Sequence, residues 1–257
     1  MDILVVSLVA LFASALTLFS GFGLGTLLMP VVAIFFSVEV AIGITAIVHL
    51  ANNLFKVVLL GKHASVPVAV RFGIPAVFFA FFGAAILGWL AVTPSIASYE
   101  LFGSVRQITP LKLIVGVLIL IFVILEFSPR FSALSIDKKY LPFGGAMSGF
   151  FGGLSGHQGA FRSMFLLKAG LTKEQFVATG VVLAVLVDLA RLSIYGRDIS
   201  ATVSTVDWAL VGSACLAAFA GAYFGAKLVK KITIRSIQLM VSAMLLVISL
   251  GMIAGIL

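Results

Sequence analysis

The chain has 257 residues, 62% of them hydrophobic and 10% charged, and its mean hydropathy is +1.26. A soluble domain carries roughly a quarter charged residues, so this composition excludes a soluble enzyme or binding module and points to an all-α integral membrane protein with several spans. The net charge of +8 does not indicate nucleic acid, because the basic residues fall in short loops between apolar runs, where the positive-inside rule accounts for them.

The first apolar run, residues 3–19, has no basic segment before it and no small-residue cleavage site after it. It reads as a retained span and not as a signal peptide. Four further runs follow at 26–36, 40–60, 72–92 and 111–127. A polar linker then occupies 128–139, with Pro129, Arg130, Asp137, Lys138 and Lys139. A second set of runs covers 141–151, 160–167, 176–195, 208–229 and 237–256. A helix needs roughly 20 residues to span a bilayer. The third, fourth and fifth runs of each set are long enough, whereas the second run of each set is too short to cross upright by itself. The expected organisation is a membrane repeat at 1–127, a cytoplasmic linker at 128–139 and a second membrane repeat at 140–257. The lone cysteine, Cys215, cannot form an intrachain disulfide and reads as a small apolar packing residue.

The repeat has a register. Shifting residues 21–61 by 135 superposes Gly21 on Gly156, Met29 on Met164, Glu39 on Glu174, Leu54 on Leu189 and Gly61 on Gly196 without a gap. Polar positions match as well: Ser37 meets Thr172, Asn53 meets Asp188 and Lys56 meets Arg191. With five segments per half, one side of the membrane receives Lys62, Arg71, Arg130, Lys138, Lys139, Lys168, Lys173, Lys227, Lys230, Lys231 and Arg235, and the other only Arg106, Lys112 and Arg197. Merging the first two segments of each half into one span destroys that bias, so five per half is preferred. An odd count makes the halves inverted relative to one another, as in many secondary transporters. Both termini are then expected on the non-cytoplasmic side of a cell inner membrane. Whether the first two segments of each half span fully or form a re-entrant or broken-helix pair stays open at this point, since both give the same parity.

Two glycine-rich stretches interrupt the apolar runs. Gly21, Gly23 and Gly25 precede the second segment, and Gly152, Gly153, Gly156 and Gly159 precede its repeat partner. A glycine-rich turn that opens a helix exposes backbone N–H groups at the positive end of the helix dipole, which suits an oxyanion. The second stretch adds His157, Gln158 and Arg162. An arginine at membrane depth requires a partner or a polar cavity, and its planar fork matches an oxyanion. The expected substrate-binding set is therefore Gly21, Gly23, Gly25, Gly156, His157, Gln158, Gly159 and Arg162. On the third segment Thr45, His49, Asn52, Asn53 and Lys56 share one helical face, and His49, Asn52 and Asn53 are expected to line a polar pathway. Asp188 and Arg191, three apart on the partner helix, are expected to form a structural ion pair. Glu39 and Glu174 begin matching helices, where a carboxylate favours the dipole.

An enzymatic reading fails. Gly153-Leu154-Ser155-Gly156 spells the pattern around the nucleophile of rhomboid intramembrane proteases, and His49 with Asn53 resembles their oxyanion-side pair. A serine nucleophile needs a base within reach, and no histidine follows His157 to play the later-helix base. Three histidines, one cysteine and scattered carboxylates give no metal-ligand spacing, and no phosphate-loop or dinucleotide fingerprint occurs. No enzyme activity, metal or cofactor is expected.

With these residues in view, the sequence resembles the sulfite exporter TauE/SafE family of membrane anion permeases. The resemblance rests on GFGLGTLLMP near the N-terminus, on the central SGFFGGLSGHQGAFRSMFLLKAGL and on the polar-faced helix after each. Members of that family often carry a fuller GxGGG in both repeats; here the first copy reads GFGLG and the second GHQGAFR. The resemblance implies a small anionic substrate such as sulfite, thiosulfate, sulfoacetate or a related organosulfonate, with small carboxylates conceivable. The resulting expectation is a secondary transporter that works by alternating access, one half gating against the other around a site between the two glycine breaks. The alternative class is an anion-selective channel. Expected partners are the substrate anion, the lipid bilayer and a coupling proton or ion, with His49 or His157 available to titrate near neutral pH. Nucleic acid is not expected, and the oligomeric state is not readable.

Overall fold

The computed structural model describes residues 2–20, 24–127, 136–198, 207–228 and 234–257. The described residues form ten α-helices and one β-hairpin. The first half holds α1 (Asp2–Ser20), α2 (Leu24–Phe35), α3 (Val38–Leu60), α4 (Val66–Ala91), the strands β1 (Ala97–Leu101) and β2 (Ser104–Ile108), and α5 (Pro110–Phe127). The second half holds α6 (Leu141–Ser155), α7 (Gly159–Leu166), α8 (Lys173–Asp198), α9 (Trp208–Leu228) and α10 (Ile234–Ile253). Every expected apolar run is a helix, and the chain is an all-α membrane protein. Among the described residues four helices are long and apolar enough to cross a bilayer, within α3, α4, α8 and α9. The linker residues 128–135 lie outside the described residues, as do the side chains of Glu39, Lys227, Lys230, Lys231 and Arg235.

Local chemistry fixes several boundaries. Thr172 and Gln175 cap α8 reciprocally, with the Gln175 N–H donating to Thr172 Oγ1 at 3.2 Å and the Thr172 N–H to Gln175 Oε1 at 3.1 Å, a capping box. Asp207 Oδ1 accepts from the N–H groups of Ala209 and Leu210 at 2.9 and 3.2 Å and so caps α9. The hairpin was not expected from the sequence. Phe102 and Gly103 form its two-residue loop, both with positive φ, 50° and 74°, as the tight hairpin turns require. It leans on the end of α10: the Tyr99 hydroxyl donates to the Ala254 carbonyl and Arg106 to the Ile256 carbonyl.

Helices pack most closely across the halves. Gly145, Gly149 and Gly153 on α6 meet α4 so tightly that a Cβ on any of them would fall on the carbonyl oxygen of Phe72, Ala76 or Ala80 respectively. On the other side of the molecule Gly221 of α9 bears in the same way on Leu11 of α1, and Gly225 on Ala15. Small residues at membrane helix interfaces permit such approach. Further pairs join α3 to α8 and α5 to α10. One apolar core is built mainly from α1, α2, α3, α5, α9 and α10, and a second from α4, α6, α7 and α8. Large apolar side chains such as Phe78, Phe82, Trp89, Leu216 and Phe224 are exposed on the outside, as lipid-facing positions demand.

Candidate functional site

The site grows out of the interruption between α6 and α7. Gly156 ends α6 in the left-handed conformation, φ 80°, which glycine adopts without steric cost. A Cβ there would also stand 2.8 Å from Arg191 Nη1. The Gln158 N–H donates back to the Gly156 carbonyl at 3.1 Å, and Gly159 opens α7. Gly152 and Gly153 belong elsewhere: both lie inside α6, where Gly153 packs on α4 and Gly152 makes room for Val187 and Gln158. They are packing glycines and not part of the turn. Gly21 and Gly23 lie outside the described residues. Gly25 is the second residue of α2, and a Cβ on it would sit 3.6 Å from Thr45 Cγ2, 3.8 Å from His49 Cδ2 and 4.0 Å from the Gly156 carbonyl oxygen. The two glycine-rich stretches thus meet, at least through Gly25 and Gly156.

Asp188 is the hub beside this meeting point. It is fully buried on α8. Arg191 Nη2 lies 2.8 Å from its Oδ1, and His49 Nδ1 of α3 lies 2.6 Å from its Oδ2. Gln158 Nε2 donates to Oδ1 at 3.4 Å, and Asn53 Nδ2 stands 3.5 Å from Oδ2 and 3.1 Å from the His49 ring nitrogen. A buried carboxylate is tolerated only when it is paired and hydrogen-bonded in this way. Arg191 also reaches the Gly152 carbonyl, and the Tyr195 hydroxyl donates to the Gly153 carbonyl. The last turn of α6, whose Gly152 carbonyl also accepts from the capping Gly156 N–H at 3.0 Å, is therefore stitched to α8. Ser148 Oγ completes the break by donating to the Gln158 carbonyl at 3.0 Å.

Asn52 points to a different neighbour. With its amide nitrogen directed at the Ala218 carbonyl and at Ser14 Oγ, its oxygen accepts from Lys56 Nζ at 3.1 Å. Asn52 thereby links α3 to α1 and α9, while His49 and Asn53 link α3 to α8. All three are buried, so the polar face of α3 is engaged in contacts between helices in this conformation. Ser155 Oγ donates to the Phe151 carbonyl at 3.1 Å.

Arg162 lies in the first turn of α7 with its Nε 3.5 Å from where a Cβ of Gly180 would be. It is within electrostatic reach of Asp188, His49 and Lys56. Among the described residues it forms no ion pair, because Asp188 is taken by Arg191 and His49. The surroundings of the break therefore hold two guanidinium groups, Arg162 and Arg191, against the described carboxylate of Asp188. Polar satisfaction is also incomplete here. Of six buried side-chain atoms without a hydrogen-bond partner among the described residues, five belong to this site: Thr45 Oγ1, His157 Nε2, Gln158 Oε1, Arg162 Nη1 and Arg191 Nε. Buried polar groups are normally paired, and this cluster of unpaired atoms sets the region apart as the candidate site.

Sequence reasoning reached most of these residues and missed Ser14, Ser148 and Tyr195. Ser14 sits in an apolar helix with no motif around it, whereas Ser148 opens the central SGFFGGLSGHQGAFR stretch but nothing in that pattern singles out its hydroxyl. Tyr195 follows Arg191 by one helical turn, and that spacing was the available signal.

A family model described as Sulfite exporter TauE/SafE matches residues 6–252. Nothing among the curated proteins or the solved structures matches the chain.

Proposed function

The chain belongs to the sulfite exporter TauE/SafE family, and from that premise we propose that it is a secondary transporter of a small anion, a sulfur oxyanion or organosulfonate such as sulfite, thiosulfate or a sulfoacetate-like molecule. The substrate binds beside Gly25 and Gly156, with Arg162 and Arg191 facing its negative charge. The observation that carries this reading is the buried Arg162 Nη1, which has no hydrogen-bond partner among the described residues, while Asp188, within its electrostatic reach, is already taken. An uncompensated cation at membrane depth is costly; an incoming oxyanion offsets that cost and accepts from the guanidinium fork.

The short helices support the alternating-access part. With 12 residues α2 is about 18 Å long and with 8 residues α7 is about 12 Å, well short of the roughly 30 Å hydrocarbon core. Helices that stop near the midplane and point their ends at a site are the usual construction of secondary transporters. In our scheme the halves are inverted repeats in a cell inner membrane, with both termini non-cytoplasmic. The hairpin, with Arg106, sits on the end of α10, so in this scheme both face the same, non-cytoplasmic side.

Calorimetry on the purified full chain tests the assignment. Arg162→Ala should remain folded and monodisperse but lose about 2 kcal/mol or more of sulfite binding, roughly 30-fold in affinity. Wild-type affinity in the variant would remove Arg162 from the site.

A further inference from the structure

His49 lies between a buried carboxylate and the meeting of the two glycine stretches. Its Nδ1 is 2.6 Å from Asp188 Oδ2. A carboxylate only accepts, so Nδ1 carries the proton of the neutral ring and Nε2 is left as an acceptor. Asn53 Nδ2 stands 3.3 Å from Nε2 and donates to it, which satisfies the neutral ring at both nitrogens. Cδ2, bonded to Nε2, is turned to the glycines: a Cβ on Gly25 would stand 3.8 Å from it and 4.0 Å from the Gly156 carbonyl oxygen. Thr45, one turn earlier on α3, flanks the same point, and its buried Oγ1 has no hydrogen-bond partner among the described residues.

A second proton on this ring changes its surroundings. On Nε2 it would face the Asn53 amide N–H, and turning that amide over would set its oxygen against Asp188 Oδ2, 3.5 Å away. The amide must swing off instead, which leaves an N–H on the edge at Gly25. Asp188 favours the added charge, while Arg162 and Arg191 oppose it. Lys56 lies two turns further along the same helix, and among the described side chains α2 and α9 bring no charged group to the ring. An anion seated beside the two arginines cancels their opposition and accepts from Nε2–H. Anion and proton then favour one another, and linkage makes the effect mutual. We propose that His49 is a proton-binding site coupled to the anion site, so that an anion entering at Gly25 and Gly156 brings one proton onto Nε2. His157 does not serve in its place. Its Nδ1 donates to the Ser155 carbonyl at 3.0 Å and its ring stacks on Phe122. No described carboxylate pairs with it, so a charge there would stand uncompensated beside Arg191. This inference rests on the anion-site reading above and adds the proton to it.

The test is calorimetry on the full chain in detergent, in buffers of different ionisation enthalpy, between about pH 5.5 and 8.5. Thiosulfate and methanesulfonate are the probes, because both stay fully ionised over that range; sulfite, which titrates within it, serves only to show that the site binds. The wild type should take up as much as about one proton per anion, and its affinity should fall by up to about tenfold per pH unit as pH rises. His49→Asn, whose amide can donate to Asp188 in place of Nδ1, should bind with no proton uptake and with an affinity that does not change with pH. His63→Gln, at an exposed position just after α3, should behave as the wild type. Binding without proton uptake in the wild type overturns the proton site and leaves the anion site standing, and equal uptake in His49→Asn overturns it too. Failure of all three anions to bind overturns the anion-site reading and this inference with it. Should His49→Asn not fold, or sulfite alone bind, the 13C spectra of the wild-type histidines decide. The chain has three, assigned by the signals lost in His63→Gln and His157→Phe. Adding the anion should move the His49 signal to its imidazolium position, and a His49 signal that does not move overturns the proposal.

Discussion

At the scale of single residues the site turns on Asp188. One buried carboxylate receives Arg191 from its own helix, His49 from α3 and Gln158 from the break. Removing it strands the Arg191 guanidinium in a low-dielectric interior. Asp188→Asn should therefore lower stability by about 3–5 kcal/mol, read as a fall in the thermal unfolding midpoint of purified protein. Asp188→Asn combined with Arg191→Met should recover part of that loss, because the stranded charge goes with it; a double variant as unstable as the sum of its parts would show that the pair is not what holds the interior. The Asp188–Arg191 pair was legible from its i,i+3 spacing, whereas the 135-residue register made Asn53 and Asp188 equivalent positions without saying that they touch. The His49–Asp188 bond was not legible. Periodicity says which residues share a face, and it is silent about what packs against that face. Under the same register Leu27 corresponds to Arg162 and Ala184 to His49, so no repeat partner signalled either contact.

At the scale of elements the decisive contacts are backbone on backbone. Propensity alone says that alanine is worth about 0.5–1 kcal/mol over glycine within a helix, so Gly149→Ala would be expected to stabilise α6. Packing reverses the sign, because the new methyl would fall on the Ala76 carbonyl oxygen and helix backbones cannot yield as a flexible side chain can. Gly149→Ala should cost about 1–3 kcal/mol or more and reduce the yield of monodisperse protein. Gly212→Ala on α9 is the control, since a Cβ there meets nothing within 4 Å, and it should be neutral or slightly stabilising in the same thermal assay. Equal effects of the two substitutions would mean that close approach of α4 and α6 is not what Gly149 provides. The helices themselves were readable because twenty-residue apolar runs leave little choice in a membrane. The hairpin was not, because each strand is only five residues long. Its single clear cue was a Phe-Gly pair between two short alternating stretches, which hydrophobic averaging over longer windows conceals.

At the scale of the whole molecule, sequence halves and packed bodies differ. The fourth helix of the first half, α4, packs on α6 and α8, and the fourth helix of the second half, α9, packs on α1 and α3. The groups that share a core are consequently α1–α3 and α5 with α9 and α10, and α6–α8 with α4, meeting where His49 of α3 reaches Asp188 of α8. If transport moves these exchanged bodies, a clamp between α1 and α9 lies within one of them. If it moves residues 1–127 as a block against residues 140–257, the same clamp joins the two moving parts. Ser7 and Ser213 offer the place for it, with their hydroxyl oxygens 3.1 Å apart across the α1–α9 contact, close to the span of a disulfide. In a Cys215→Ser background, Ser7→Cys with Ser213→Cys should cross-link on oxidation and still carry sulfite into liposomes at a rate within about twofold of the reduced protein, because α1 and α9 travel together in one rigid body. Flux that stops on oxidation and returns on reduction would instead assign the motion to the two halves of the sequence, and would show that the glycine-lined contact of α1 with α9 slides during transport.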